Sequence, residues 1–152
     1  MKRKVANPLE LIAGKQTLGQ NDADRLIFPM LAHLEEVRAG HGYYGSIRMV
    51  TIYLRAMLSS VNNTATKPNE TLIRYIADAG KAWMSSATKC ADRGMDGRVV
   101  LSGDDWSKLS RAVRMFMMVM PNVPLYIWTQ AVSQACKAWD EFESANLASR
   151  QQ

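Results

Sequence analysis

At 152 residues the chain has the length of one ordinary domain and can bury a core of its own. A hydrophobic content of 47% excludes a disordered chain, and the lack of any run of about 18 apolar residues excludes a transmembrane helix. The 19 Lys and Arg against 14 Asp and Glu leave +5, which favours acidic partners without the dense basic clustering of a dedicated nucleic-acid binder.

The N-terminal stretch MKRKVANPLELIAGKQ starts basic, but its apolar run is broken at Asn7, Pro8 and Glu10 and does not fit a secretory signal. A cytoplasmic location is therefore expected. In that compartment Cys90 and Cys136, which lack CxxC spacing, are expected as reduced, buried thiols. The sequons at Asn62-Asn63-Thr64 and Asn69-Glu70-Thr71 are then turn-forming residues.

Helical periodicity runs through nearly the whole chain. Asn7, Pro8 and Gly14 frame a short first helix. In NDADRLIFPMLAHLEEVRAG, Leu26, Ile27, Met30, Leu31, Leu34 and Val37 form an apolar stripe behind Asp22 and Asp24. Pro29 lies inside that pattern and predicts either a kink or a later helix start. The next helix carries Ile47, Val50, Leu54, Met57, Leu58 and Val61, and NNTATKPN is a turn-rich break. Residues 68–94 form another helix, with Leu72, Ile73, Ile76, Trp83, Ala87 and Cys90 on one side; Gly80 in its middle predicts the close approach of a second helix.

MDGRVVL reads as a short, locally extended connector. Ser102 with Asp105 three residues on is a capping-box-like start for a helix carrying Trp106, Leu109, Val113, Phe116, Met117 and Met120. PNVP ends it. The last helix repeats Leu125, Trp128, Val132, Ala135, Trp139 and Phe142, and ASRQQ is expected to fray. No alternating strand pattern and no fixed-period repeat occurs. The expected fold is all-α: a compact single-domain bundle of five or six helices over 1–152, with 1–6 and 148–152 frayed. In this style the chain resembles the small helical accessory proteins of phages and plasmids.

GHGYYG at 40–45 matches G-x-G-x-x-G, the glycine pattern of dinucleotide-binding loops. That pattern works when a strand feeds a tight turn and an acidic residue follows about 20 positions later. Here the preceding Leu31, Leu34 and Val37 keep helical spacing, no carboxylate follows before Glu70, and Tyr43 and Tyr44 crowd the loop. Gly40 is better explained as a helix C-cap, and Gly45 with Ser46 as the start of the next helix. The loop remains a candidate anion or small-ligand site through His41, Tyr43, Tyr44, Ser46 and Arg48, grouped at a helix N-terminus.

Catalytic patterns are poor. His33 and His41, the two histidines, lack metal-ligand spacing, and no G-x-S-x-G elbow occurs. The pairs Glu35-Glu36, Asp104-Asp105 and Asp140-Glu141 are adjacent, so on a helix their side chains diverge. The expectation is a non-enzyme with no cofactor and no metal.

The basic residues form three stripes: Arg48 with Arg55, Arg74 with Lys81, and Lys108 with Arg111 and Arg114. Converging, they make a cationic groove for phosphates or an acidic protein; diverging, they are solvated faces. A helix-turn-helix across PNVP is disfavoured, because its second helix begins PLYIW and carries Asp140, Glu141 and Glu143. Met115, Met117, Met118 and Met120 cannot all face one core from a single helix, and a second layer within the domain is favoured over a partner interface. The leading expectation is a small interaction or regulatory protein acting on a protein partner, with no membrane and with self-association open. The alternative is nucleic-acid binding through the basic stripes.

Overall fold

The computed structural model describes residues 17, 19–42, 44–64, 69–93 and 98–150. The short helix expected near Asn7–Gly14 lies outside them. Among the described residues the chain is 89% helical, with five α-helices and no strand. They are α1 (Gly19–Arg38), α2 (Tyr44–Thr64), α3 (Glu70–Arg93), α4 (Gly103–Val119) and α5 (Leu125–Arg150), with a 3₁₀ turn at Met120–Asn122 between the last two.

The breaks between helices have local causes. Gly40 takes φ +82°, a left-handed conformation that favours glycine. It lets the Gly40 N–H donate to the Val37 carbonyl at 3.1 Å and the His41 N–H to the Glu36 carbonyl at 2.8 Å, the paired bonds of a Schellman cap. Asn69 starts α3 by accepting the Leu72 N–H on its side chain at 3.1 Å. Ser102 starts α4 by accepting the Asp105 N–H at 3.1 Å. The reciprocal half of the capping box is missing, because the Asp105 carboxylate turns to α3 and accepts from the Ser86 hydroxyl at 3.2 Å.

Helix α2 occupies the centre. It packs most extensively against α5, then against α3 and α1, while α3 packs against α4. The core draws on all five helices: Ile27 and Met30, Val50 and Met57, Leu72 and Trp83, Leu109 and Phe116, and Trp128. Trp128 sits between the rings of Tyr53 and Phe116, with centroids at 6.1 and 5.8 Å, so it joins α5 to α2 and α4. Tyr53 donates to the Leu26 carbonyl at 2.8 Å, and burial pushes its phenol above the usual range.

Several details depart from the periodicity. α1 begins at Gly19, earlier than expected, and runs through Pro29, whose side chain is exposed, without a break in the helix. Asn62, Asn63 and Thr64 belong to α2; Asn63 and Thr64 bond back to the Ser59 and Ser60 carbonyls of the preceding turn. α5 continues through Ala148 and Ser149 to Arg150 where fraying was expected. Leu125 and Phe142 are exposed, because the stripe they belong to outruns the bundle that covers its middle. The methionine cluster is mostly internal, with Met120 buried and Met115 and Met117 packed on the core, but Met118 is 79% exposed. No described helix is long and apolar enough to cross a membrane.

Candidate functional site

Helices α3 and α5 both pack on α2 but make at most marginal contact with each other. The valley between them is a groove of about 490 Å³. Leu54 and Leu58 of α2 form its floor, Ile76 and Met84 of α3 one wall, and Trp139 and Phe142 of α5 the other. It stays open because the walls carry small residues: Ala77 and Gly80 on α3, Ala135 and Ala138 on α5. A Cβ added at Gly80 would meet no atom within 4 Å. The expected close approach of a helix at Gly80 is thus overturned; the missing side chain creates space.

Two cations line this apolar groove, Arg55 from α2 and Lys81 from α3. No carboxylate occurs among the described residues that line it, and among the described residues neither cation is in an ion pair. In the sequence the two residues belong to separate stripes. The signal it lacked was the run of small residues on α3 and α5, which carries meaning only once the two helices are known to share α2.

The remaining basic residues go elsewhere. Arg111 and Arg114 line a second, polar depression of about 440 Å³ along α4, with Trp106, Ser107, Ser110 and Met115. Arg111 lies over the Tyr75 ring at 5.4 Å, and Arg38 over the Trp106 ring at 5.5 Å. Lys108 pairs with Asp104 at 3.3 Å on exposed surface. Arg74 is exposed on α3 and Arg48 half-buried on α2; neither lines the groove or the α4 depression. The three stripes therefore do not merge into one cationic surface: Arg55 and Lys81 share one site, Arg111 and Arg114 another.

The 41–48 loop is already committed to structure. The Ser46 hydroxyl, 3% exposed, donates to the Glu36 carboxylate at 3.0 Å and lies 3.3 Å from His33 Nδ1. His33 Nδ1 is also 3.3 Å from the same Glu36 oxygen. Gly42 is buried against Val37, and its carbonyl accepts the Val99 N–H at 3.2 Å. His41 is exposed, while Tyr43 and the Tyr44 side chain lie outside the described residues.

This Ser–His–Glu cluster was not visible in the sequence, because Ser46 of α2 meets His33 and Glu36 of α1 only once the two helices pack. Its geometry is that of a clamp between the end of α1 and the start of α2. One imidazole nitrogen faces both oxygens, and the serine proton goes to the carboxylate. A nucleophilic relay would need the two histidine nitrogens to serve different partners.

Cys90 and Cys136 are both free thiols. The Cys90 thiol donates to the Arg98 carbonyl and is buried, whereas Cys136 is only half-buried, since it lies at the margin of the α5 stripe. Among the described residues, no group of three or more His, Cys, Asp or Glu is placed to hold a metal ion. No known protein family, curated protein or solved structure matches the chain.

Proposed function

We propose that this chain is a non-enzymatic interaction module. Its α2–α3–α5 groove receives an amphipathic helix with acidic side chains beside its apolar stripe, offered by a protein partner. The observation that carries this reading is an open apolar groove with Arg55 and Lys81 on its lining and no carboxylate among the described lining residues. Its walls, for example Ala135 to Phe142, extend about 11 Å, the length of two helical turns. Helix-in-groove recognition uses anchors at i, i+3 or i+4 and i+7, which such a length accepts. Each buried leucine- or phenylalanine-sized anchor contributes about 1.5–3 kcal/mol, and the cations select sequences with nearby carboxylates. The buried, internally bonded Ser46 supports a role without nucleophilic chemistry.

The test is a selection of displayed helical peptides on the folded chain. The selected peptides should share acidic and apolar residues at helical spacing. They should lose at least tenfold in affinity on Gly80→Leu, which fills the groove, and on the Arg55→Glu/Lys81→Glu pair. Peptides that bind both variants as well as the native chain would remove the groove from the function.

A second reading has its own observation. The α4 face combines Arg111 and Arg114 with the partly exposed Trp106, and places Arg111 on Tyr75. Cations beside aromatic faces suit a single-stranded nucleic acid, whose bases stack while its phosphates pair. With about three phosphate contacts, single-strand affinity should fall on the order of tenfold between about 50 and 200 mM salt. Arg111→Glu/Arg114→Glu should abolish it, while the Arg55 and Lys81 variants leave it intact. No binding at about 50 mM salt eliminates this reading.

A further inference from the structure

We propose that the groove's occupant is the C-terminal end of α5 from a second copy of this chain, so that two copies associate by exchanging these ends across a two-fold axis. This inference rests on the groove being a helix-binding site.

The first observation is a mismatch of lengths. α5 has 26 residues, about 39 Å, and packs chiefly on α2, which has 21 residues, about 31 Å. From Asp140 to Ser149 every side chain is exposed except the half-buried Glu143. Beyond Phe142, which still lines the groove, and the half-buried Glu143, the side chains of 144–149 are all exposed. Helix of that length gains little from propensity alone, and packing is what ordinarily maintains it.

The second observation is chemical complementarity. The end carries Asp140 and Glu141, besides Glu143, whose carboxylate accepts the Trp139 indole N–H, and no basic residue before Arg150. It also presents Phe142, 50% exposed, and Leu147, 61% exposed. Asp140 and Leu147, seven apart, share one face of that end, so it offers an acidic beside an apolar side chain, the pairing a groove lined by Arg55 and Lys81 accepts.

The third observation is position. Phe142 stands at the end of the groove wall and packs on Trp139 with ring centroids at 5.6 Å. A two-fold axis near Phe142 makes the two α5 helices run antiparallel. Each end then passes back along the other copy's Ala138 and Ala135, where small side chains permit close helix packing. The contact is isologous, so it closes at two copies.

The experiment is sedimentation equilibrium of the full chain over about 1–200 µM, on the native protein and on two charge-reversed forms. One form has a basic end, Asp140→Lys/Glu141→Lys; the other has an acidic groove, Arg55→Glu/Lys81→Glu. The native chain should dimerise. Each variant alone should associate at least tenfold more weakly, since its end and groove then carry like charge. An equimolar mixture of the two should recover a 1:1 dimer, because both exchanged contacts become complementary again. Leu147→Glu, at an exposed position of the monomer, should also weaken the dimer without altering the helical circular dichroism.

A native chain that is monomeric throughout overturns the inference. So does a dimer indifferent to these variants, or one weakened by the groove variants but not by those in the end. Groove-dependent peptide binding by a monomeric chain would leave the helix-binding site standing and remove only the second copy.

Discussion

Gly42 has Val37 pressed against its α-carbon: a Cβ built there would lie 2.5 Å from Val37 Cγ2 and 3.0 Å from Val37 Cα. The clash involves backbone as well as side chain, so Gly42→Ala should destabilise the fold by about 1–3 kcal/mol in chemical denaturation. Unchanged stability would mean that the turn after α1 relaxes freely. Gly80 behaves in the opposite sense. With open space around its missing Cβ, Gly80→Ala should raise stability by up to about 1 kcal/mol through helix propensity. Trp83 is fully buried and donates its indole N–H to Thr51 Oγ1 at 2.9 Å. Thr51→Val keeps the shape but removes the acceptor, and a loss of about 1–3 kcal/mol is expected in the same assay. The sequence marks both glycines, yet it does not say which is crowded and which is bare; that depends on the neighbour across the space.

Among the elements, α1 tests what an interior proline does. Pro29 lacks the N–H that would reach the Arg25 carbonyl, and its ring is exposed. Pro29→Ala should therefore raise the melting temperature, corresponding to about 1–3 kcal/mol. A lower melting temperature would show that the fold depends on the shape the proline imposes on α1. α4 carries half a capping box, and Ser102→Ala should cost about 1 kcal/mol. Helix termini such as Gly40 and Ser102 were legible because a cap is settled within four residues of chain; Asn69 was legible only as a turn residue. The end of α5 was not, since small and polar residues such as Ala148 and Ser149 neither demand a helix nor forbid one.

On the scale of the whole molecule, α2 is the spine that holds α3 and α5 apart and so creates the groove. Trp128 fastens α5 to that spine, and Trp128→Ala should destabilise the protein by about 3–5 kcal/mol in denaturant titrations. Amide hydrogen exchange gives a further check on the exchanged-end dimer. The amides of 144–149 should exchange fast in dilute protein and slow down as concentration rises, while those of α2 stay protected at every concentration. Fast exchange of 144–149 at all concentrations would place the α5 end in solvent permanently.

The amino-acid sequence by itself determined the all-α class, the apolar stripe of each described helix and most of the caps. These follow from the 3.6-residue period and from hydrogen bonds that close within a turn. It also separated GHGYYG from a nucleotide loop, since Leu31, Leu34 and Val37 before it keep helical spacing and Gly40 closes that helix. Only the tertiary structure decided that Arg55 joins Lys81 while Arg111 and Arg114 go to another face. It alone brought Ser46 to Glu36 and His33, and turned Gly80 from an expected contact into an opening. Each of those outcomes depends on how helices are rotated and placed against one another. That arrangement is set by the summed packing of residues far apart in the chain, and no single stretch encodes it.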